Sequence, residues 1–275
     1  MYPKITVLMD LSGIKLVVTD MDGTLLNSDH EVSERFFELY HALRRRGIEF
    51  VAASGRQYNS IIAKLLPIKD QIYVIAENGG LAMYGSQEIV STPLDVLTKN
   101  SILNKFQNTT KMHLVLCARD SAYVTGTSTE FLSVLEEYYT KFEVVDDLFH
   151  FEGEVMKIAV YHFESSEKYI YPIVEPFENE LKVKVSGQHW VDISHQNAHK
   201  GFALDKIQEK LGISRKETLV FGDYNNDLEM LALADFSYAM ANSHPNVLKA
   251  AKYRTLSNND FGVERILEEL LLSVT

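Results

Sequence analysis

Two carboxylates lie two residues apart in the segment Asp20-Met21-Asp22-Gly23-Thr24, directly after a short apolar run. At the end of a strand, Asp20 can attack phosphorus as a nucleophile. Asp22 can protonate the leaving oxygen and later activate water against the aspartyl phosphate. Because both groups are anions beside an anionic substrate, the site needs a cation, and Mg²⁺ with oxygen ligands meets that need. The alternative for this segment alone is an ordinary acidic turn.

A second acidic loop, Gly222-Asp223-Tyr224-Asn225-Asn226-Asp227, also follows an apolar run. Asp223 can supply the further carboxylate for the metal. Asn226 and Asp227 open the next predicted helix, where they can cap backbone N–H groups, orient metal-bound water or meet the phosphate. The loop is weak evidence alone, but together with the first segment it predicts one acidic site.

Two smaller segments provide groups that bind phosphate. Ser54 offers a hydroxyl, and Gly55 offers an unobstructed backbone N–H. Lys200-Gly201, at a predicted helix start, places a positive charge near the same site. Each is commonplace alone, since a serine before glycine is usually a turn and a lysine is usually solvated.

The elements that position these residues are short apolar runs, which predict parallel strands buried on both faces. The runs are residues 14–18, 50–53, 72–76 and 218–221, and each ends in a polar or glycine-containing loop. A helix is predicted from Ser33, a good N-cap, to Gly47. In an open parallel sheet the strand ends share the edge where ligands bind. We therefore predict a doubly wound α/β core with helices on both faces of a parallel sheet.

The middle of the chain has a different pattern, in which the strands alternate instead of being uniformly apolar. Leu181, Val183 and Val185 are predicted to face inward while Lys182 and Lys184 face water. This block predicts an inserted α+β cap domain. The predicted division is a first core segment over residues 1–84, the cap over 85–189 and a second core segment over 190–275.

Composition and charge restrict the expected partners and the expected location of the protein. The net charge of −11 among 275 residues argues against nucleic acid as a partner. No stretch approaches the ~20 apolar residues of a membrane span, so no membrane partner is expected either. The single cysteine, Cys117, fits a reducing compartment. The first residues lack an export signal, and the cytoplasm is the expected location.

In their order along the chain, the four segments resemble the four motifs of the haloacid dehalogenase superfamily. These are Asp20-Met-Asp-Gly-Thr, Ser54-Gly-Arg, Lys200-Gly and Gly222-Asp-x-x-Asn-Asp. The long insert resembles the α+β (type IIB) cap of the superfamily's Cof-type phosphatases. Glu77-Asn78-Gly79 and residues 239–242 also match that subgroup. The resemblance covers essentially residues 14–272.

The resemblance implies roles for the site residues. Asp20 is expected to be the nucleophile and Asp22 the acid/base. The side chains of Asp20 and Asp223 and the backbone carbonyl of Asp22 are expected to hold Mg²⁺. The transferring phosphoryl group is expected to lie against Ser54, Gly55, Lys200 and Asn226. Asp227 is expected to support the metal ligands without binding the metal itself.

The function implied is Mg²⁺-dependent hydrolysis of small phosphorylated metabolites, such as sugar phosphates, through a phosphoaspartyl intermediate. Two alternatives stay open: a phosphomutase of the same superfamily, and a non-catalytic phosphosugar-binding regulator. The sequence does not show which cap residues select the substrate.

Four other features have both a chemical and a structural interpretation. His195 and His199 have zinc-ligand spacing, but they lie in a predicted loop without a third ligand, and zinc is not favoured. Arg56 can reach either substrate or a neighbouring carboxylate. Tyr138, Tyr139 and Phe142 are predicted to form cap core rather than to contact a ligand. Trp190 is predicted to pack at the hinge rather than to stack on the substrate.

Overall fold

The computed structural model describes residues 10–109, 111–126, 128–139 and 141–273. Residues 1–9, for which the sequence predicts no export signal, lie outside the described residues. The strands are β1 (Leu16–Asp20), β2 (Glu49–Ala53), β3 (Tyr73–Ala76), β4 (Leu81–Tyr84), β5 (Gln87–Ser91), β6 (Met112–Ala118), β7 (Ala122–Val124), β8 (Phe142–Val144), β9 (Val155–His162), β10 (Leu181–Val185), β11 (Trp190–His195), β12 (Thr218–Gly222), β13 (Phe236–Ala239) and β14 (Tyr253–Arg254).

Helices separate many of these strands along the chain. They are α1 (Glu34–Arg45), α2 (Tyr58–Lys64), α3 (Val96–Phe106), α4 (Thr129–Tyr138), α5 (Ser166–Tyr169), α6 (Tyr171–Val174), α7 (Lys200–Leu211), α8 (Leu228–Leu231), α9 (Pro245–Ala250) and α10 (Gly262–Ser273). Short 3₁₀ turns cover Leu66–Gln71, Glu175–Asn179, Arg215–Glu217, Asn225–Asp227 and Asn258–Asp260. Among the described residues, no helix is long and apolar enough to cross a membrane.

The core sheet has eight strands in the order β14-β13-β12-β1-β2-β3-β4-β5. The strands from β14 to β3 are parallel, and β4 and β5 add an antiparallel hairpin at one edge. Alternate residues of β1 point to opposite faces of the core sheet. Val17 packs towards α1, α2 and α10, while Leu16 and Val18 pack towards α7, α8 and α9. Because both faces are covered by helices, the central parallel strands β1, β2, β3 and β12 are mainly apolar and buried, as the sequence predicts.

The helix predicted after Ser33 is present as α1. The Ser33 side chain accepts a hydrogen bond from the N–H of Phe36, which satisfies one of the free N–H groups of the first turn. Phe36, Tyr40 and Leu43 form its buried stripe, and the chain turns at Gly47 with φ of 74°. The stripe fixes α1 against the sheet and thereby fixes the loop that carries the first acidic segment.

The inserted domain is built on a six-stranded sheet in the order β10-β11-β9-β6-β7-β8, antiparallel except for β7 and β8. One face packs on α3, α5 and α6, and α4 covers some of the other face. Leu181, Val183 and Val185 face the first of these layers, as predicted. Lys182 and Lys184 do not face open water; they line a cleft between the two sheets.

The change from one sheet to the other falls later in the chain than the predicted divisions. The core sheet continues to Ser91 in β5, and the cap sheet continues to His195 in β11. The domain division at residues 84 and 189 stays a prediction, and sheet membership places the crossings after residues 91 and 195. Trp190 therefore lies in a cap strand.

Candidate active site

Asp20 is the last residue of β1, and the turn that follows brings the two acidic loops together. Gly23 has φ of 77°, and a Cβ at this position would overlap the carboxylate of Asp223. The Thr24 hydroxyl donates to Asp223 Oδ1 at 3.2 Å. A glycine is needed here for both its backbone conformation and its lack of a side chain.

Three carboxylates meet at this edge of the sheet. One oxygen from each of Asp20, Asp223 and Asp227 lies within 4.8 Å of the others. Burial raises the pKa of Asp20 well above its usual range, against the opposing effect of Lys200. Burial and the charge of Asp227 raise the pKa of Asp223 to about 6. The carboxylates repel one another, which is the condition that a bound cation relieves.

The buried ammonium of Lys200 lies among these acids. It donates to Asp20 Oδ1 at 2.5 Å and to Asp227 Oδ1 at 2.7 Å, and its side chain is fully buried. Burial lowers the pKa of Lys200, but Asp20 and Asp227 outweigh burial and the net pKa is raised. Lys200 is therefore a permanent cation in this site.

The start of α7 holds Lys200 in place. His199 caps the helix, its Nδ1 accepting from the N–H of Phe202 at 3.1 Å. A Cβ at Gly79 would overlap the backbone of His199, and a Cβ at Gly201 would come within 2.6 Å of Glu229 Cβ. Close backbone approach at these two glycines brings the helix start against the sheet edge.

Both carboxylate oxygens of Asp227 accept hydrogen bonds. Its Oδ1 accepts from Lys200, and its Oδ2 accepts from the N–H groups of Asp223 and Tyr224 at 2.9 and 3.0 Å. A Cβ at Gly222 would lie 2.7 Å from Asp227 Cβ, so only glycine allows this packing. The arrangement fits the predicted supporting role of Asp227.

The residues present fit a magnesium ion. Three carboxylates and one ammonium leave two negative charges uncompensated, and all the acidic ligand atoms are oxygens, which Mg²⁺ prefers. Asp20 and Asp223 are the side chains free to bind it, since Asp227 already accepts three hydrogen bonds.

Asp22 is held by Arg56 through two hydrogen bonds, Nε to Oδ2 at 2.7 Å and Nη2 to Oδ1 at 2.5 Å. His30 Nδ1 lies 3.5 Å from Asp22 Oδ1. Burial raises the pKa of Asp22, but the hydrogen bonds and charge of Arg56 outweigh burial and leave the pKa lowered. Of the two partners that the sequence allows for Arg56, the structure shows the carboxylate.

The phosphate-binding candidates are joined by Asn78, a residue the sequence did not single out for the site. Asn226 Nδ2 donates to Asn78 Oδ1 at 3.0 Å, and a Cβ at Gly55 would press on the Asn78 side chain. Ser54 Oγ accepts from the N–H of Arg56 at 3.1 Å. Asn78 has φ of 55°, a conformation that asparagine tolerates. The sequence signal that could have identified Asn78 was its position just after β3, because the other strands of the sheet also carry site residues at this end.

The cap contributes the opposite wall. Lys157 of β9 lies 3.2 Å from Glu77 Oε2 of the core and 3.5 Å from Asp192 Oδ2 of β11. Burial lowers the pKa of Lys157, but Asp192 and Glu77 outweigh it and the pKa is raised well above its usual range. This ion-paired group joins cap and core beside the acidic loops.

All the predicted site residues lie at one edge of the core sheet. Asp20, Asp22, Ser54, Gly55, Asp223 and Asn226 line the cavity under the cap, while Lys200 and Asp227 are buried beneath it. His195 ends β11 and His199 caps α7, and neither belongs to the acidic cluster of the described residues.

Residues 17–267 match the sequence profile of haloacid dehalogenase-like hydrolases. The chain belongs to this family. It is 31% identical over 262 residues to the 5-amino-6-(5-phospho-D-ribitylamino)uracil phosphatase of Escherichia coli (strain K12), covering 94% of this chain and 97% of that protein. The predicted superfamily and the prediction of a phosphatase are thereby confirmed.

Solved structures of family members confirm the predicted fold class. A crystal structure from Thermotoga maritima matches with a TM-score of 0.85 and 27% identity, covering 93% of this chain and 97% of that one. A subclass IIB sugar phosphatase shares the fold, with a TM-score of 0.77 and 21% identity over 92% of this chain and 98% of that chain.

Proposed function

We propose that this phosphatase hydrolyses monoesters of small phosphorylated metabolites through a phosphoaspartyl intermediate on Asp20. The observation that carries the proposal is the position of Asp20 at the end of β1, within 2.5 Å of Lys200 Nζ and in a cluster with Asp223. Asp22 lies two residues further along the same turn. Phosphoryl transfer depends mainly on positioning and charge stabilisation, which these groups provide.

In the first step, an oxygen of Asp20 attacks phosphorus and the ester bond to the leaving oxygen breaks. Asp22 gives its proton to that oxygen, so an alcohol departs. In the second step, Asp22 takes a proton from water, the water oxygen attacks phosphorus, and Asp20 is released with inorganic phosphate.

The ion pair between Arg56 and Asp22 affects whether Asp22 can act as the acid of the first step. While Arg56 holds Asp22, the carboxyl group is an anion, which suits the base of the second step better than the acid of the first. We infer that Asp22 leaves Arg56 and acquires a proton when the ester is bound.

Asp20, Asp223 and the backbone carbonyl of Asp22 are the groups proposed to hold Mg²⁺. When bound, Mg²⁺ would offset the charge between the carboxylates and the phosphoryl oxygens. Lys200 favours the carboxylate form of Asp20 and is proposed to bind a phosphoryl oxygen. Ser54, Gly55 and Asn226 are proposed to bind the remaining oxygens.

The relatives and the site together suggest a panel of candidate substrates for testing. The relative from Escherichia coli is named for a ribityl phosphate with a uracil ring, so this ester stands beside sugar phosphates, riboflavin 5′-phosphate and pyridoxal phosphate as candidates. We also infer a reducing compartment, the cytoplasm, since Cys117 is a buried free thiol.

The decisive experiment measures phosphate release from p-nitrophenyl phosphate and this panel, with Mg²⁺ and with EDTA. Asp20→Asn preserves shape but removes the nucleophile, and it should abolish turnover. Labelled phosphoenzyme should form in the wild type only.

Turnover that survives in Asp20→Asn would rule out Asp20 as nucleophile. Transfer of phosphate to a second hydroxyl without net release would favour the mutase. Binding of esters without any turnover would favour the regulator.

A further inference from the structure

The cavity between the sheet edge and the cap is larger than a sugar phosphate requires. Its volume is about 1110 Å³, and its lining comes from both domains. Ligand pockets of roughly 300–1,000 Å³ enclose ligands of drug size. With the phosphoryl group at Asp20, as proposed above, the remaining space is left for the leaving group.

Exposed aromatic rings stand in the wall of this cavity. Tyr138, at the end of α4, is 59% exposed, and its ring packs edge-on against Trp190 with centroids 5.5 Å apart. Tyr224, from the second acidic loop, is 53% exposed and packs edge-on against His244. The expectation that Tyr138 belongs to the cap core is therefore wrong. Tyr138 presents a flat apolar surface inside the site, fixed from behind by a buried indole.

The lining of this cavity also includes Lys184, a cation for which the described residues provide no acidic ion-pair partner. Lys184 of β10 lies opposite Asp192 across the strand pair, but the Asp192 carboxylate is ion-paired with Lys157 at 3.5 Å. Among the described residues, no carboxylate lies within 4.0 Å of the Lys184 ammonium. Burial lowers the pKa of Lys184. A partly desolvated ammonium without a partner is a strong donor for a ligand oxygen.

We infer that the leaving group of the natural ester carries a planar heterocycle. The ring lies against Tyr138, and a carbonyl on its edge accepts a hydrogen bond from Lys184. This inference rests on the proposed phosphatase reaction and adds the chemical class of its substrate. A bare sugar would leave most of the cavity and the face of Tyr138 unused, whereas a ring with carbonyl groups uses the aromatic surface and the donor together.

A matched pair of esters isolates the contribution of the ring. Riboflavin 5′-phosphate and ribitol 5-phosphate carry the phosphate on the same ribityl chain, and only the first has a heterocycle. We expect the wild type to have a higher kcat/KM for riboflavin 5′-phosphate. Tyr138→Ala should reduce the ratio of the two values about tenfold, within the range for one base stacked on an aromatic side chain. Lys184→Met should reduce it as well.

The controls separate stacking from general damage to the cap. Tyr138→Phe keeps the ring face and should keep the wild-type ratio. Tyr171→Ala removes a cap tyrosine that hydrogen-bonds to Glu178 and does not line the cavity, and it should also keep the ratio. Glucose 6-phosphate reports on a sugar leaving group, and an equal loss on this ester in Tyr138→Ala would overturn the inference.

Binding of the leaving group tests the inference without turnover. Riboflavin itself should bind to the wild type, seen as quenching of flavin fluorescence, and should bind more weakly to Tyr138→Ala and Lys184→Met. An unchanged ester ratio, or the absence of riboflavin binding, would overturn the heterocycle subsite. Turnover persisting in Asp20→Asn would instead overturn the proposed mechanism and leave the binding result standing.

Discussion

Lys200→Met tests whether the site is held together by one buried cation. The substitution removes the ammonium that donates to Asp20 and Asp227 and leaves three carboxylates in mutual contact. Methionine has a similar length and adds no charge. Because the ammonium is fully buried and bonded to two buried acids, its removal leaves their negative charge uncompensated.

Removing one partner of a buried ion pair costs about 3–5 kcal/mol. For a protein of this size, about 2–4 °C of Tm is lost per kcal/mol, so the Tm should fall by roughly 10 °C without Mg²⁺. Protonation of Asp20, whose pKa is already raised by burial, limits the loss. Added Mg²⁺ should stabilise the variant more than it stabilises the wild type, since the metal replaces missing positive charge.

Thermal and urea unfolding followed by circular dichroism, with and without Mg²⁺, measure the effect on the Tm and on the free energy of unfolding. Lys206→Met is the matched control, because Lys206 lies on the same helix in an exposed pair with Glu209 and its loss should scarcely move the midpoint. Lys200→Met/Asp227→Asn should recover much of the loss by removing one acid. A free energy of unfolding for Lys200→Met equal to that of Lys206→Met would refute this account.

Three further outcomes follow from the site. The pKa of Asp223 is raised from 3.8 to about 6, so its protonated carboxyl stabilises the folded metal-free protein below about pH 4, and this contribution is lost as the pH rises to 6. Because Mg²⁺ binds the anion, the Mg²⁺ affinity should fall by up to about tenfold per pH unit below 6, which the Mg²⁺-induced rise in Tm measures. Arg56→Ala removes the group that lowers the pKa of Asp22, so the acidic limb of the phosphoenzyme-hydrolysis profile should move to higher pH, and an unmoved limb would contradict the role of the pair. Gly222→Ala places a Cβ 2.7 Å from a buried neighbour and should cost about 1–3 kcal/mol in urea unfolding, whereas Gly187→Ala, with open space around it, serves as the control.

Much of the core was predictable because local patterns determine it. Apolar runs that end in polar loops mark parallel strands, and the carboxyl ends of such strands meet at one edge. Asp20, Ser54 and Asp223 were therefore placed together without any knowledge of long-range contacts. The cap of α1 at Ser33 was equally local, since the hydrogen bond spans three residues.

Other contacts depend on distances that no local pattern encodes. The choice of Arg56 between substrate and Asp22 follows from how two loops face each other across the sheet edge. The exposure of Tyr138 depends on where α4 ends relative to the core, and an aromatic residue at helical spacing reads as core in sequence. The β4–β5 hairpin depends on antiparallel pairing with β3, which no pattern within the segment indicates.

The group of Glu77, Lys157 and Asp192 explains how the cap position is coupled to the site. Glu77 comes from the core loop that also carries Asn78, while Lys157 and Asp192 come from neighbouring cap strands. Burial raises the pKa of Glu77, so its charged form depends on Lys157 being close. Separating the cap from the core would part Lys157 from Glu77, whereas Lys157 and Asp192, both on cap strands, would stay together. The Lys157–Glu77 pair therefore favours the cap position seen here, since Asp192 and Glu77 together outweigh the effect of burying Lys157. The loop that carries Glu77 also contacts Asn226 through Asn78, so one short segment after β3 contacts both the cap and the phosphate-binding side chains.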